Sequence, residues 1–359
     1  TAANTYTGAT AVNAGTLQLG SGGTTGSLNT ASTISVAASS TFAVNRSDLM
    51  TQGTDFSGAA ISGAGRFAQI GSGTTVLNAA NSFSGGVTIA AGTLSVSADN
   101  NLGAVSNDID FTGNNATLAV TSSFSSNRDL NLNMSSATHN AVLNVAALQT
   151  FTAAGTITGS GGIIKSGTGR LDLTNTAAGS YDFDGGVTIN SGRFNVGTGA
   201  TLDSDLGVVV NSGGRLGGSG TIDDSVTVNS GGRFAPGSSP DTLSVTGPLV
   251  WNGGAIQEFD VNDTPVGQGG TGVVGTNWDQ ILVTDAINGV LTINATSLNP
   301  ITVEINPLDP GFTTIANFDK LSTVGYSWLW VTATAGINLA GGDPLASRFV
   351  FDDQYVFGP

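Results

Sequence analysis

The feature that most constrains this chain is an internal repeat. The segment NTYTGATAVNAGTLQL at residues 4–19 aligns with NSFSGGVTIAAGTLSV at 81–96 and with YDFDGGVTINSGRFNV at 181–196. The second half of this unit recurs alone at 208–216 and 226–234, and these two copies begin 18 positions apart. Self-similarity at a short period is typical of repeat architectures, in which stacked units bury a core that no single unit can bury alone.

The pattern inside one unit predicts short strands separated by sharp turns. Alternation such as Val-Thr-Ile sends successive side chains to opposite faces, as a half-buried strand requires. The following Asn-Ser-Gly or Ala-Ala-Gly step supplies residues that tolerate tight-turn backbone, and another alternating strand comes next. The repeat therefore predicts an all-β chain folded as a parallel β-helix. A Greek-key sandwich also has short strands at close spacing, but sandwiches seldom repeat their own strand sequences.

Composition agrees with a folded β chain and excludes several functional classes. Gly accounts for 53 of 359 residues, hydrophobic residues for 39% and charged residues for only 10%, so the chain can bury apolar surface. The net charge of −15 argues against nucleic acid or anionic membrane as a partner. Because there is no Cys, thiolate zinc sites and thiol nucleophiles are excluded. No apolar run is long enough for a transmembrane helix, so membrane insertion is not expected.

These repeats resemble the autotransporter-associated β-strand repeat of bacterial passenger domains. Residues 4–20, 81–96 and 167–173 are similar to parts of its consensus, and 218–247 is similar to the closing segment of such passengers. The strand WDQILV at 278–283 resembles the one that usually follows. The resemblance implies secretion, a right-handed parallel β-helix and display at the cell surface. It implies no particular ligand or reaction.

The chain changes character near residue 247. All four Trp and six of the nine Pro lie beyond residue 250, and the Gly-Ser-rich composition ends near residue 247. Strands are expected at 281–283, 290–293 and 301–305. We therefore predict two domains: β-helix repeats over 1–247, and a β-rich C-terminal module over 248–359 that caps or docks to the open end of the helix, since solenoid ends expose unpaired strands.

The N-terminus is expected to present the opposite end of the helix. The chain starts inside a repeat, which suggests a processed or truncated product with an open first coil. An open strand edge is a template for another chain, and a head-to-tail contact of this kind generates filaments. The predicted assembly edge consists of Thr1, Asn4, Tyr6, Val12, Leu17 and Leu19.

Residues that suggest catalysis are few. His139 is the only His and lies in a polar stretch that is expected to be a surface turn. Asp182 and Asp184 are two positions apart, so in a strand they face the same side. If that side is outward, they would bind a cation or act on a sugar, but they replace Thr and Ser of the other copies, which favours ordinary solvated positions. Asp99, Asp108, Asp110, Asp223 and Asp224 are expected in turns. We predict that the chain is not an enzyme and needs no cofactor, with calcium at a turn left open.

Five Arg follow a Gly and precede a Phe or Leu, namely Arg66, Arg170, Arg193, Arg215 and Arg233. They are expected to occupy the outward position that Thr16 and Thr93 hold in other copies. If the coils stack in register, Arg193, Arg215 and Arg233 form a ladder along one face. Such a ladder would bind an acidic glycan or the carboxylates of a neighbouring subunit, and the alternative is a set of scattered, solvated charges.

Three hypotheses follow for the function. The first is an extracellular structural β-solenoid at the cell surface that self-associates end to end into a fibre. The second is an adhesin that binds glycans or host surfaces. The third, for which the sequence offers least, is a carbohydrate-active β-helix enzyme.

Overall fold

The structure is a computed structural model, and it describes residues 2–237, 241–261, 278–284, 289–307, 331–339 and 343–352. The chain divides into two compact units. The N-terminal unit comprises residues 1–175 and 179–186, and the C-terminal unit comprises residues 176–178 and 187–359. Each unit is described below by itself.

The N-terminal unit is built from short strands. In chain order they are β1 (Thr10–Val12), β2 (Thr16–Leu19), β3 (Ile34–Val36), β4 (Thr41–Val44), β5 (Leu49–Thr51), β6 (Arg66–Gln69), β7 (Thr74–Leu77), β8 (Val87–Ile89), β9 (Thr93–Val96), β10 (Ile109–Phe111), β11 (Thr117–Val120), β12 (Phe124–Ser126), β13 (Leu130–Leu132), β14 (Asn140–Val145), β15 (Thr150–Ala153), β16 (Ile157–Gly159), β17 (Gly162–Ser166), β18 (Arg170–Leu173) and β19 (Tyr181–Phe183).

These strands stack into three parallel sheets, apart from β1 and β3, which form a separate two-stranded parallel sheet. Sheet A has the order β2-β4-β6-β8-β10-β13-β16-β19, sheet B the order β5-β7-β9-β11-β14-β17, and sheet C the order β12-β15-β18. Consecutive strands of the chain thus belong to different sheets, while each strand pairs with its counterpart one coil later. This is the topology of a parallel β-helix, in which each coil contacts the coils before and after it.

The C-terminal unit repeats the same design. Its strands are β20 (Val187–Ile189), β21 (Gly192–Val196), β22 (Thr201–Ser204), β23 (Val208–Val210), β24 (Gly214–Gly218), β25 (Thr221–Ile222), β26 (Val226–Val228), β27 (Arg233–Pro236), β28 (Thr242–Val245), β29 (Leu249–Trp251), β30 (Ile256–Val261), β31 (Gln280–Val283), β32 (Leu291–Ile293), β33 (Ile301–Pro307), β34 (Val331–Ala333), β35 (Ile337–Leu339) and β36 (Phe349–Asp352).

Three parallel sheets again result. Sheet D has the order β22-β25-β28-β31-β34, sheet E the order β20-β23-β26-β29-β32-β35, and sheet F the order β21-β24-β27-β30-β33-β36. Helical backbone in the described residues is limited to two 3-10 turns, Asp99–Leu102 and Leu345–Arg348. The parallel β-helix predicted from the repeat is therefore confirmed, and the sandwich alternative is wrong because paired strands run parallel.

The core of each coil is made by the inward positions of the strands. In β8, Val87 and Ile89 are fully buried while Thr88 between them is partly exposed. Stacking brings like residues together from coil to coil: the rings of Phe42 and Phe67 lie 6.0 Å apart, and those of Phe67 and Phe83 lie 6.2 Å apart. Each buried side chain of this size contributes roughly 1.5–3 kcal/mol to folding.

Sheet C begins later than sheets A and B because an irregular segment takes its place in an earlier coil. That segment, residues 97–107, contains the first 3-10 turn and is fixed from the following coil by Arg128. The Arg128 guanidinium donates to the Asp99 carboxylate at 2.9 Å and to the carbonyl of Gly103 at 2.9 Å. On the other side, the buried Asn81 donates to the carbonyl of Asn101 at 2.7 Å. Buried polar side chains here replace sheet hydrogen bonds.

The distinct C-terminal module predicted over residues 248–359 is not confirmed. The strands expected at 281–283, 290–293 and 301–305 are present as β31, β32 and β33, with ends that differ slightly. They pair in parallel with β28, β29 and β30, so these described strands add coils to sheets D, E and F. The capping role and the boundary at residue 247 stay predictions. Trp328 and Trp330 lie outside the described residues.

Candidate functional site

The three predicted ladder arginines lie in one column on the outer side of sheet F. Arg193 pairs in register with Arg215, and Arg215 pairs with Arg233. Each arginine directly follows a glycine at the start of its strand. The residue after each arginine is fully buried: Phe194, Leu216 and Phe234. Because side chains alternate along a strand, burial of that apolar residue directs the arginine outward. The stacking register therefore places side by side three arginines that are 22 and 18 positions apart in the sequence.

The arginine column is joined to two carboxylates from later coils. Arg215 donates through Nε to Glu258 Oε2 at 2.7 Å and through Nη2 to the same oxygen at 2.5 Å. Arg233 donates through Nη1 to Glu258 Oε1 at 3.2 Å and to Glu304 Oε2 at 2.5 Å. Glu258 and Glu304 pair in register on neighbouring strands. The result is one connected chain of ion pairs, Arg215–Glu258–Arg233–Glu304.

Small residues allow this arrangement. Gly217 and Ala235 lie in register next to the arginine column. A Cβ on Gly217 would come within 3.6 Å of Arg193 Nη2 and 2.4 Å of the Ala235 carbonyl oxygen. The side chain of Arg193 instead reaches across to the amide oxygen of Asn195 at 3.1 Å. The guanidinium groups can therefore lie along the sheet surface toward their partners.

The electrostatics of the network favour the ionised forms. Burial would raise the pKa of Glu258, but hydrogen bonds and charge from Arg215 and Arg233 outweigh it and hold that pKa below its usual value. The hydrogen bond to Glu304 raises the pKa of Arg233. Glu258 is only 8% exposed, so its negative charge is balanced by the chain itself. Bidentate arginine–carboxylate pairs of this kind are the strong form of a charge-assisted hydrogen bond.

Sequence reasoning missed Glu258 and Glu304. Both lie beyond the recognisable repeat, and Glu258 is 43 positions from Arg215. Nothing in the local sequence of either glutamate indicates an arginine partner, because the pairing depends on how many coils separate them. The two remaining arginines of the Gly-Arg pattern also have carboxylate partners, Asp110 for Arg66 at 2.5 Å and Asp172 for Arg170.

The acidic residues considered for catalysis are dispersed. Asp182 and Asp184 are both exposed on the outer side of sheet A, as the spacing predicted. Asp110 was expected in a turn, and this was wrong: it lies inside β10, where it accepts hydrogen bonds from Arg66 and Asn131. His139 precedes β14, and its Nδ1 lies 3.3 Å from Ser135 Oγ.

Among the residues that the structure describes, no group of three or more His, Asp or Glu is arranged to hold a metal ion. The described part of the chain also contains no helix with the length and hydropathy that a membrane crossing requires. Neither a calcium site nor a catalytic constellation is assembled from the candidates that the sequence suggested. Calcium binding stays untested.

The predicted assembly edge falls on the first two strands. Val12 in β1 is buried and pairs with Val36, and Leu17 and Leu19 in β2 pair with Phe42 and Val44. Asn4 donates to the Ser27 carbonyl at 3.2 Å, and Tyr6 is 46% exposed with its hydroxyl 2.8 Å from Thr10 Oγ1. Thr1 lies outside the described residues. Self-association through this edge stays a prediction.

A second ladder, of asparagines, runs along one corner of the C-terminal unit. Five Asn follow successive strands of sheet E: Asn190, Asn211, Asn229, Asn252 and Asn294. The Nδ2 of each of the last four donates to the Oδ1 of the Asn one coil before it, at 2.8, 2.8, 2.8 and 2.9 Å. The sequence signals part of this ladder, because a V-x-V-N step recurs at Asn211 and Asn229, but which Asn residues meet depends on how the coils stack.

Comparison with known proteins identifies the repeat. The family described as passenger-associated-transport-repeat matches residues 1–19, 67–96 and 163–196. These ranges overlap the copies aligned above, so the predicted resemblance to passenger repeats is confirmed. The chain is also similar to a protein of Brucella suis biovar 1 (strain 1330) named adhesin BmaC autotransporter, with 31% identity over 160 residues. That alignment covers 44% of this chain and 4% of the relative.

Proposed function

The chain carries autotransporter passenger repeats on a parallel β-helix, and from this premise we propose that it is part of a secreted, cell-surface adhesin that binds its target without catalysis. The observation that carries the proposal is the coincidence of the matched repeats with in-register coils. Similarity to an autotransporter adhesin supports the binding role. The chain covers only a small fraction of that relative, so the relative's own partners are not transferred.

Adhesion is tested with the purified chain coated on fluorescent beads. We expect the beads to attach to cultured host cells or to extracellular glycans, and soluble chain to compete for attachment. The matched control is the same chain unfolded in urea and adsorbed at equal density, which keeps the composition and charge but not the surface of the coils. Attachment that is equal for folded and unfolded chain would contradict the proposal.

We propose a cohesive role, and not ligand binding, for the arginine ladder. Arg215 and Arg233 are already engaged by Glu258 and Glu304 of the same chain, so an acidic glycan would have to displace strong internal pairs. Replacing the two arginines by Met should lower stability without changing bead attachment. If the double variant keeps its fold but no longer attaches, the arginine ladder takes part in ligand binding and the cohesive role is contradicted.

The fibre hypothesis has less support, because neither comparison names an assembly. It is tested directly by light scattering after size exclusion at rising concentration. A monomer throughout would remove it, and a concentration-dependent series with Tyr6-dependent growth would favour it. The enzymatic alternative is tested by release of reducing ends from polysaccharides, where we expect none.

A further inference from the structure

The outer face of sheet E is unlike the other faces of the C-terminal unit, because it carries no charge on its strands. One outward column passes in register through β-branched residues of five successive coils, Thr188, Val209, Thr227, Val250 and Thr292. The asparagine ladder forms a second column beside it, one residue beyond the end of each strand. All the members of the first column are partly exposed. The two columns are together called the neutral strip.

Charge is placed on the other two sheets of this unit. Sheet F carries the arginine ladder with Glu258 and Glu304, and sheet D carries Asp203 in β22. Asp205 and Asp224 lie at the turns that lead into sheet E, on the side away from the asparagines. In a chain with a net charge of −15, these carboxylates repel an anionic ligand from the strip while the strip itself offers nothing to a cation.

The strip still offers hydrogen bonds. The hydroxyls of Thr188, Thr227 and Thr292 form none with the rest of the described chain. The asparagine amides are fixed by one another, so their positions repeat at the strand spacing of ~4.8 Å. A ligand that fits must be uncharged, rich in hydroxyl groups and repetitive along one direction.

The size of the strip decides between a protein and a polymer. The five coils of the strip at ~4.8 Å, each three residues of ~3.3 Å wide, give a surface of ~24 by ~10 Å, or on the order of 240 Å². A stable protein–protein contact needs about 800 Å² from each partner, so a second copy of the chain is too large an occupant. A single extended chain of sugars matches a long and narrow surface.

We propose that the neutral strip on sheet E binds an uncharged, linear polysaccharide. This inference rests on the proposed adhesin function and names its class of ligand. It also moves the glycan site from the charged ladder on sheet F to an adjacent sheet. Because no charge takes part, binding should be nearly unchanged between ~50 mM and ~1 M salt.

The experiment places one charge on the strip and the same charge on another sheet of the same coil. Thr227→Asp puts a carboxylate in the centre of the strip, and Thr221→Asp puts one on the outer side of sheet D, where Thr221 is likewise partly exposed. Both variants lose the same side chain from an outward strand position. Binding is measured by affinity electrophoresis and sedimentation with cellulose, a β-1,3-glucan and dextran as uncharged probes, and polygalacturonate as the anionic probe.

We expect the wild-type chain to bind at least one uncharged probe. Thr227→Asp should weaken that binding roughly tenfold or more, because the bound sugar chain would cover a carboxylate that has no partner. Thr221→Asp should leave the binding unchanged. Thr227→Lys should weaken it similarly. Circular dichroism of all three variants checks the fold. If Thr227→Asp fails to fold, Thr292→Asp on the same column replaces it.

Several results would overturn the inference. The wild-type chain could bind only polygalacturonate, or could bind none of the uncharged probes. Thr227→Lys could bind an uncharged probe more strongly than wild type, or Thr221→Asp could lose as much affinity as Thr227→Asp. The outcome is separable from the adhesin proposal. Beads that attach to cells equally well with wild-type and Thr227→Asp chain would remove the neutral strip and keep the adhesin, whereas beads that never attach would remove the adhesin itself.

Discussion

Leu148 has an unfavourable backbone conformation and an exposed apolar side chain. It occupies a turn between β14 and β15 with φ of 63°, and its side chain is 97% exposed. Other residues with positive φ two positions before a strand include Ser39, Asn115 and Gly199. A leucine in this region of backbone space is disfavoured by roughly 1–2 kcal/mol, and it gains no burial here in return.

Leu148→Gly should therefore raise the free energy of unfolding by roughly 0.5–1 kcal/mol, the strain relieved less the entropy that glycine loses on folding. Urea denaturation followed by circular dichroism measures the change. The matched control is Leu206→Gly, at an exposed turn leucine whose φ is not positive, and this change should lower stability. A lower midpoint for Leu148→Gly would show that its side chain has a contact worth more than the strain.

Lys165 is the buried cation of sheet B. Its side chain is fully buried, its Nζ donates to the carbonyls of Ser166 and Gly167 at 2.7 and 2.8 Å, and burial lowers its pKa from 10.5 to about 8. Between those two values the unfolded chain holds more protons than the folded chain. The free energy of unfolding should therefore rise as the pH increases from ~8 to ~10.

Lys165→Met should remove this alkaline rise, which is measured as the urea midpoint at a series of pH values. Burial raises the pKa of Tyr181, and its titration acts in the opposite direction at higher pH, so the series ends near pH 10. A rise of equal size in wild type and Lys165→Met would assign it to another group.

At the scale of elements, the asparagine ladder fixes the register of sheet E at its turn. A central member such as Asn229 donates to Asn211 and accepts from Asn252, whereas Asn190 at the end of the described ladder shares one such bond. A net hydrogen bond contributes roughly 0.5–1.5 kcal/mol, and a partner left unsatisfied adds to the loss. The contribution of an asparagine should therefore depend on its place in the ladder.

Asn229→Ala should lower the free energy of unfolding by ~1–3 kcal/mol, and Asn190→Ala by about half as much. Ser212→Ala, at an exposed position of the same kind of turn, is the control and should change little. Denaturant midpoints with an unchanged m value would assign the effect to the native ladder. Equal losses for the central and the end asparagine would contradict a cooperative ladder.

The arginine ladder shows which contacts between strands a local sequence pattern can predict. The Gly-Arg-Phe pattern indicated outward arginines, and the register confirms that Arg193, Arg215 and Arg233 form a column. The pattern left open whether the column was free, and its partners Glu258 and Glu304 come from strands whose sequences no longer match the repeat. Alternation within a strand is a local property, but a contact across coils depends on the lengths of all intervening turns.

At the scale of the whole molecule, each of the two units is a sum of coils that contact their neighbours. The asparagine ladder marks the length of each coil in the C-terminal unit, with steps of 21, 18, 23 and 42 residues. Coils of 18, 21 and 23 residues thus keep the same three sheets. A complete coil should therefore be removable without loss of the fold.

Deletion of residues 211–228, one coil, should leave a chain with the same β-rich circular dichroism and cooperative unfolding, since Val208–Val210 can then stack on Leu249–Trp251. Deletion of residues 211–219 is the control, because it removes half a coil and forces every later strand onto the wrong sheet. That variant should aggregate or unfold. Similar behaviour of the two deletions would contradict a stack of independent coils.

The sequence by itself determined the class of this protein. Alternation of apolar residues, turn glycines and a repeated unit were enough to predict parallel strands, an outward arginine column and passenger-type repeats, because each depends on residues close together in the chain. Only the tertiary structure decided that Glu258 and Glu304 neutralise those arginines, that five asparagines join into one ladder, and that Thr188 and Thr227 lie on a face without charge. Those relations link residues separated by whole coils of irregular length, so they are fixed by stacking and cannot be read from any local pattern.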